Sequence, residues 1–201
     1  MPIRSVDELR SLYAQPAERA RHKELTALDR HCRAFIALSP FVVLSTCDRR
    51  LELDASPRGG DPGFVKVTDD GVLLIPDSPG NNRLDSLQNI VATGKVGLLF
   101  MIPGFDETLR VNGEAVLSTD AADIAACTTE RRAPRLVIRV RVTSAYLHCA
   151  KAFLRSKLWK PETLVERTRL PTAGCMLAEQ TGIATPPETR EEMERRYAPD
   201  L

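Results

Sequence analysis

The sequence predicts an α+β fold: an antiparallel barrel or sandwich of roughly seven strands, with helices at its ends and a helical preface before it. Three observations point there. The first forty residues carry apolar side chains at helical spacing, the texture turns β-rich from Phe41 onward, and two helical stretches interrupt the β-rich runs.

In the preface, Ser5 and Glu8 form a capping-box pair that opens a short helix through Leu9 and Leu12. After Pro16, Leu25, Leu28, Cys32 and Phe35 recur at helical spacing and predict an amphipathic helix that closes before Pro40. The runs FVVLST, LELDASP, GFVKV, GVLLIPD, KVGLLFMI, ETLRVNGEAVLS and RLVIRVRVTSAYL then follow, separated by turn signals such as DRR, RGGDPG, DDG and PGFD. In RLVIRVRV, Leu136, Ile138, Val140 and Val142 fall on one face and Arg139 and Arg141 on the other, which predicts one buried side. KVGLLFMI lacks that alternation and is expected to be buried on both sides. One inserted helix is expected from about Arg83 to Ala92, around Leu84, Leu87 and Ile90, and another from about Asp120 to Cys127, introduced by Ser118 and Thr119. Beyond Thr181 the chain is rich in Pro, Glu and Arg, with a last helix expected around EEMERRY and order least expected there. The organisation expected is a helical segment over 1–40, a barrel domain over 41–160 and a C-terminal extension over 161–201.

A chain of 201 residues suits one domain with helical additions and can bury a core without disulfides. With 28 Lys and Arg against 27 Asp and Glu, the net charge of +1 gives no global field for nucleic acid or an anionic membrane, so any anion must be held locally. Five scattered cysteines lack zinc-site spacing and the density of a secreted scaffold, the N-terminus lacks the apolar run of a signal peptide, and no stretch of eighteen apolar residues occurs. A reducing cytoplasm is the expected location. No metal site is expected: His22 and His31 are nine residues apart and share no ligating face. No G-x-S-x-G, Walker loop, H-E-x-x-H or dinucleotide fingerprint is present, which argues against a hydrolase, a P-loop NTPase and a Rossmann dehydrogenase.

Three stretches can carry chemistry. In IPDSPGNNRLDSL (75–87) a strand ends, a Pro and Gly loop turns, and a helix begins near Asn82 and Arg83, so that free N–H groups and the positive end of the helix dipole meet a guanidinium. That outlines a phosphate site, or equally an ordinary β-to-helix turn with an Asn cap. In DASPRGG (54–60), Pro57 and two glycines let the chain pass close to a flat ligand while Arg58 reaches its phosphate; a plain hairpin connection is the alternative. YLHCAKAFLRSKLW (146–159) joins a strand end to a helix with Lys151, Arg155 and Lys157, either a substrate-facing surface or a solvated basic face anchored by Trp159. His148 and Cys149 are adjacent, a poor arrangement for a nucleophile and its base, because neighbouring side chains point different ways.

The segments FVVLST, LDASPRGG, LLIPDSPGNNRLDSLQNI, KVGLLFMIPG, ETLRVNGEAVLS and HCAKAFLRSKLW, in that order from about Phe41 to Trp159, resemble the FMN-binding proteins related to pyridoxamine 5'-phosphate oxidase, especially their uncharacterised bacterial branch. The resemblance implies a split β-barrel of antiparallel, Greek-key type that forms a homodimer, with FMN at the subunit interface. It implies flavin contacts from Ser56, Pro57 and Arg58, from Ile75 and Pro76 at the ring edge, from Asn82 and Arg83 at the phosphate, and from Thr108 near the flavin pyrimidine. Lys151, Arg155 and Ser156 become the expected substrate contacts. Two departures stand out: SPRGGD lacks the Lys that usually closes the first motif, and RRYAPDL lacks the C-terminal Arg and His that grip the vitamin's phosphate. The implied function is therefore an FMN-dependent oxidoreductase related to pyridoxamine 5'-phosphate oxidase, acting on a small molecule that the sequence does not name and with the vitamin oxidase activity itself put in doubt by these departures, or a non-catalytic flavin- or haem-binding carrier on the same fold.

Overall fold

In the computed structural model, which describes residues 2–184, 186 and 188–200, the β-rich runs become β1 (Phe41–Cys47), β2 (Leu53–Gly59), β3 (Lys66–Val67), β4 (Leu73–Pro76), β5 (Lys95–Met101), β6 (Thr108–Ser118) and β7 (Val137–His148). They pair antiparallel in one curled seven-stranded sheet of order β2-β1-β5-β6-β7-β4-β3. The helices are α1 (Val6–Ser11), α2 (Glu18–His22), α3 (Arg30–Leu38), α4 (Asp85–Thr93), α5 (Ala121–Cys127), α6 (Lys151–Ser156), α7 (Ala173–Thr181) and α8 (Arg190–Tyr197). Met1, Thr185, Pro187 and Leu201, which the expected terminal segments include, lie outside the described residues.

The strand alternation sorts the sheet into two faces. On the inner face Val42, Leu44, Leu98, Phe100, Leu109 and Val111 are buried and pack with Cys32 and Ile36 of α3 and Leu87 and Ile90 of α4. On the outer face of the same strands Phe41, Val43, Leu99 and Met101 are half-buried, while Leu53 and Pro57 of β2 are exposed. KVGLLFMI is therefore not buried on both sides within one chain: Val96, Leu98 and Phe100 are in the core, and Leu99 and Met101 are half open. Farther along the sheet α5 covers Leu74 and Val137 with Cys127. Its Asp123 is buried, pairs with Arg139 and accepts from the Ser118 hydroxyl at 2.6 Å.

The preface differs from expectation. The helix expected around Leu25 opens only after Asp29, whose carboxylate accepts from the Cys32 N–H at 2.8 Å as its N-cap. Leu25 instead exchanges backbone hydrogen bonds with Ala145, at 2.9 and 2.8 Å. It forms a β-bridge on the stretch of β7 that β4 leaves unpaired. Only half of the capping box at α1 forms as expected: Ser5 accepts from the Glu8 N–H, but the Glu8 carboxylate accepts from Arg4. In α8, by contrast, Thr189 and Glu192 complete a reciprocal box. At the β-bulge between Asn112 and Gly113, a Cβ on Gly113 would stand 2.6 Å from the Arg141 carbonyl oxygen, so the bulge needs glycine there.

Candidate functional site

The stretch 54–59 is strand, not a hairpin connection. Alternation along β2 turns Asp54, Ser56 and Arg58 to the inner side, where Arg58 is paired in register with buried Val42, and Ala55 and Pro57 to the outer side. Pro57 is tolerated because β2 is the edge of the sheet. The Arg58 guanidinium donates to Ser56 Oγ at 2.6 Å and to the Pro57 carbonyl at 2.8 Å, which orients it.

Although β2 and β4 stand far apart in the strand order, the curl of the sheet brings Arg58 toward Asp77, the residue after β4. Burial pushes the Asp77 carboxyl above the usual carboxylate range, against the opposing pull of the Arg58 and Arg135 guanidinia. The third element is α4. Its first-turn Ser86 donates to Asp54 at 2.5 Å, which locks the helix start to the inner side of β2.

Helix α4 begins two residues later than expected. Asn82 and Leu84 both take left-handed backbone angles, with φ of 59° and 61°, so Leu84 and not Asn82 stands at the N-cap. Leu84 has no side chain able to accept, and no side-chain cap satisfies the first N–H groups of α4. Arg83 is exposed and donates to Asp85 at 2.7 Å. The fold thus gathers Ser56 and Arg58, the end of β4 and the start of α4 into one region. Ile75 lies wholly in the core, so only its backbone faces a ligand, and Pro76 is half-buried.

Thr108 stands elsewhere. It alternates with core residue Leu109, which puts it on the outer side, and it is buried there. It is three strand steps from β2, roughly 14 Å at strand spacing. Its cross-strand partner is His148. Helix α6 is tied nearby, because Trp159 stacks on Phe153 with ring centroids 5.6 Å apart and donates its indole N–H to the Phe105 carbonyl at 2.7 Å. Lys151, Arg155 and Ser156 are exposed on this helix, where Arg155 donates to the Lys151 carbonyl and Ser156 to that of Phe153.

Sequence reading missed Asp54, Asp77 and Ser86. Asp54 was within reach, since it shares the two-residue period of Ser56 and Arg58; the other two meet β2 only through the curl. The cysteines are poor nucleophiles where they are buried: desolvation pushes the Cys32 thiol up to about 11 and raises that of Cys127. Two shallow clefts, of about 250 and 260 Å³, lie away from Arg58, one beside Tyr146 and His148 and one beside Arg33 and Lys66.

A family model described as pyridoxamine 5'-phosphate oxidase matches residues 28–149. The chain belongs to that family. The match runs from the start of the α3 region to the end of β7 and takes in Arg58, Arg83 and Thr108. The sheet is accordingly the split barrel of the pyridoxamine 5'-phosphate oxidase family. Among solved structures the chain is similar to HupZ of Group A Streptococcus, at 16% identity and a TM-score of 0.49, covering 60% of this chain and 93% of that one. It is similar also to a putative pyridoxamine 5'-phosphate oxidase of Lactobacillus delbrueckii, at 20% identity and TM-score 0.47, over 62% and 98% of the two chains. An FMN-binding protein of Syntrophomonas wolfei aligns at 15% identity and TM-score 0.45, over 58% and 83%. No curated protein matches this family member. Among its described residues no helix is long and apolar enough to cross a membrane.

Proposed function

We propose that this protein binds FMN as a cytoplasmic homodimer and works as an oxidoreductase on a small molecule. The observation that carries the reading is that an oriented Arg58 and the uncapped N-terminus of α4, which Ser86 ties to Asp54, lie on the same inner side of β2, inside the span matched by the family. These residues fit a phosphate: the helix start offers N–H groups and the positive end of its dipole, and Arg58 adds a charge-assisted donor. When bound, FMN supplies hydride and electron transfer.

The chain's own residues bind and orient. Arg58 and the first N–H groups of α4 hold the phosphate, with Ser56 keeping Arg58 in position. Asn82 stays beside them in its left-handed turn. Arg83 leaves an exposed pair with Asp85 to join them, at small cost because such pairs contribute little. Pro57, the Ile75 backbone and Pro76 border the ring. Thr108 and Arg58 sit on opposite sides of one sheet, so a flavin that touches both takes them from different subunits. The half-open outer patch of Phe41, Val43, Leu99 and Met101, on strands β1 and β5, supplies the apolar surface for that pairing. Lys151, Arg155 and Ser156 on α6, stapled beside the Thr108 end, are the substrate contacts in this reading. The five free cysteines accord with a reducing compartment. The vitamin oxidase reaction is outside the proposal, because the Lys that usually closes the first motif is missing from SPRGGD.

The absorption spectrum of freshly purified protein tests the reading: a bound oxidised flavin is expected, with FMN held more tightly than riboflavin. A colourless protein that takes up neither overturns it. Tightly bound FMN that nicotinamide donors leave oxidised would favour the carrier reading over catalysis.

A further inference from the structure

We propose that the cleft between α2 and the end of β7 is a binding site for the oxyanion of a small substrate, a carboxylate or a phosphate, held by Lys23, Arg110 and His148 around Tyr146. The cleft, about 250 Å³, is lined by Ala20, Lys23, Glu24, Tyr146 and His148. Lys23 Nζ donates to the Leu147 carbonyl at 3.0 Å and lies 4.7 Å from the centroid of the Tyr146 ring. The Arg110 guanidinium lies 5.3 Å from the same centroid, directly across from Tyr146 in the β6–β7 ladder. The next pair of that face is Thr108 with His148.

Two cations therefore share one phenol ring, and among the described residues neither forms an ion pair with a carboxylate. Arg110 approaches the ring from β6 and Lys23 from the opposite edge of β7, and the ring attracts each cation without neutralising it. Glu24 is the acid lining the cleft, so a positive excess remains. An oxyanion removes it by accepting from the ammonium, the guanidinium fork and an imidazole N–H. The arrangement is built in advance: the Leu25 and Ala145 bridge pins the 23–25 segment along β7, and the Lys23 bond to Leu147 sets the ammonium over the ring. The volume falls below the range of drug-sized pockets, about 300–1,000 Å³, and suits a small molecule. Because His148 pairs with Thr108, an anion held here stands next to the proposed ring end of the flavin; that placement rests on the flavin reading, whereas anion binding itself does not.

The test follows the His148 imidazole resonances of the full chain by NMR during titration with inorganic phosphate and, separately, with benzoate. Saturable shifts are expected at millimolar concentrations, and the tighter of the two probes assigns the ligand class. Arg110→Gln and Lys23→Gln should each weaken binding about tenfold or more. Lys23→Arg should retain it, Glu24→Gln should tighten it, and Arg21→Gln, a charge on α2 outside the cleft lining, should leave it unchanged. Absence of a saturable shift, or one dissociation constant shared by the wild type, Arg110→Gln and Lys23→Gln, overturns the proposal. A chain that takes up no FMN yet binds phosphate at His148 keeps this inference and loses the flavin reading; the converse result separates them the other way.

Discussion

The two faces of β1 and β5 are built from the same kinds of residue and meet different surroundings. On the inner face Val42 and Phe100 are wholly buried among residues of α3 and α4; on the outer face their chain neighbours Val43 and Leu99 are half open. Hydrophobicity alone does not separate the two sets. What separates them is the cover each face receives: α3 and α4 complete one layer, whereas the outer face keeps an apolar surface suited to a second copy of the chain.

The largest effect expected from that contrast is at Phe100. Phe100→Ala should cost about 3–5 kcal/mol, because the inner face cannot collapse around the void, whereas Met101→Ala, one residue along, should cost far less; urea denaturation of both variants measures the gap, and equal losses would abolish the distinction between the faces. Leu99→Glu should leave the fold cooperative but dissociate the proposed dimer, as read by sedimentation at micromolar concentration; a dimer that persists removes the outer face from the proposed interface. Arg58→Ala should weaken FMN by about 1.5–3 kcal/mol, roughly tenfold to a hundredfold, and leave riboflavin affinity nearly unchanged; parallel loss for both ligands would take the phosphate away from Arg58.

The smallest effect concerns the lid on the inner face. Asp29 caps α3, and its carboxyl is held below the usual carboxylate range chiefly by the Cys32 N–H it accepts from. A lowered folded-state pKa means the stabilisation is present above the unfolded-state pKa and is lost as pH falls through the folded one. Asp29→Ala should therefore cost about 0.5–2 kcal/mol near neutrality and progressively less in acid, so stability curves of wild type and variant should converge below about pH 4. Curves that stay parallel into acid would detach the cap from that carboxylate.

Much of the sheet was legible because period-two patterns are local: RLVIRVRV sent Ile138 and Val140 to the core as expected, although Val137 on its other face is buried as well, under α5, and the ordered β-rich runs became the seven strands. The inner half of KVGLLFMI was legible too, but not its outer half, since Leu99 and Met101 carry no mark telling a core from an interface. The apolar spacing of Leu25 with Leu28 predicted helix there, and a nonlocal backbone pairing with Ala145 outweighed it. Asn82 was expected at the start of α4, whereas two left-handed residues postponed the helix to Asp85. Arg58 and the α4 start were readable as anion-binding chemistry; that Asp77 and Ser86 join them follows from the curl of the sheet, which no local spacing encodes.

Pro57 has a consequence for how such a molecule avoids sticking to itself. It sits in the middle of the edge strand β2, where it has no N–H to offer a strand arriving from outside, and the opposite edge, β3, is only two residues long and carries Lys66. Neither border of the sheet can template an added strand over any length. Ribbon-like growth into aggregates is thereby discouraged at both ends, which leaves the finite, face-against-face contact of the proposed dimer as the mode of association that closes on itself.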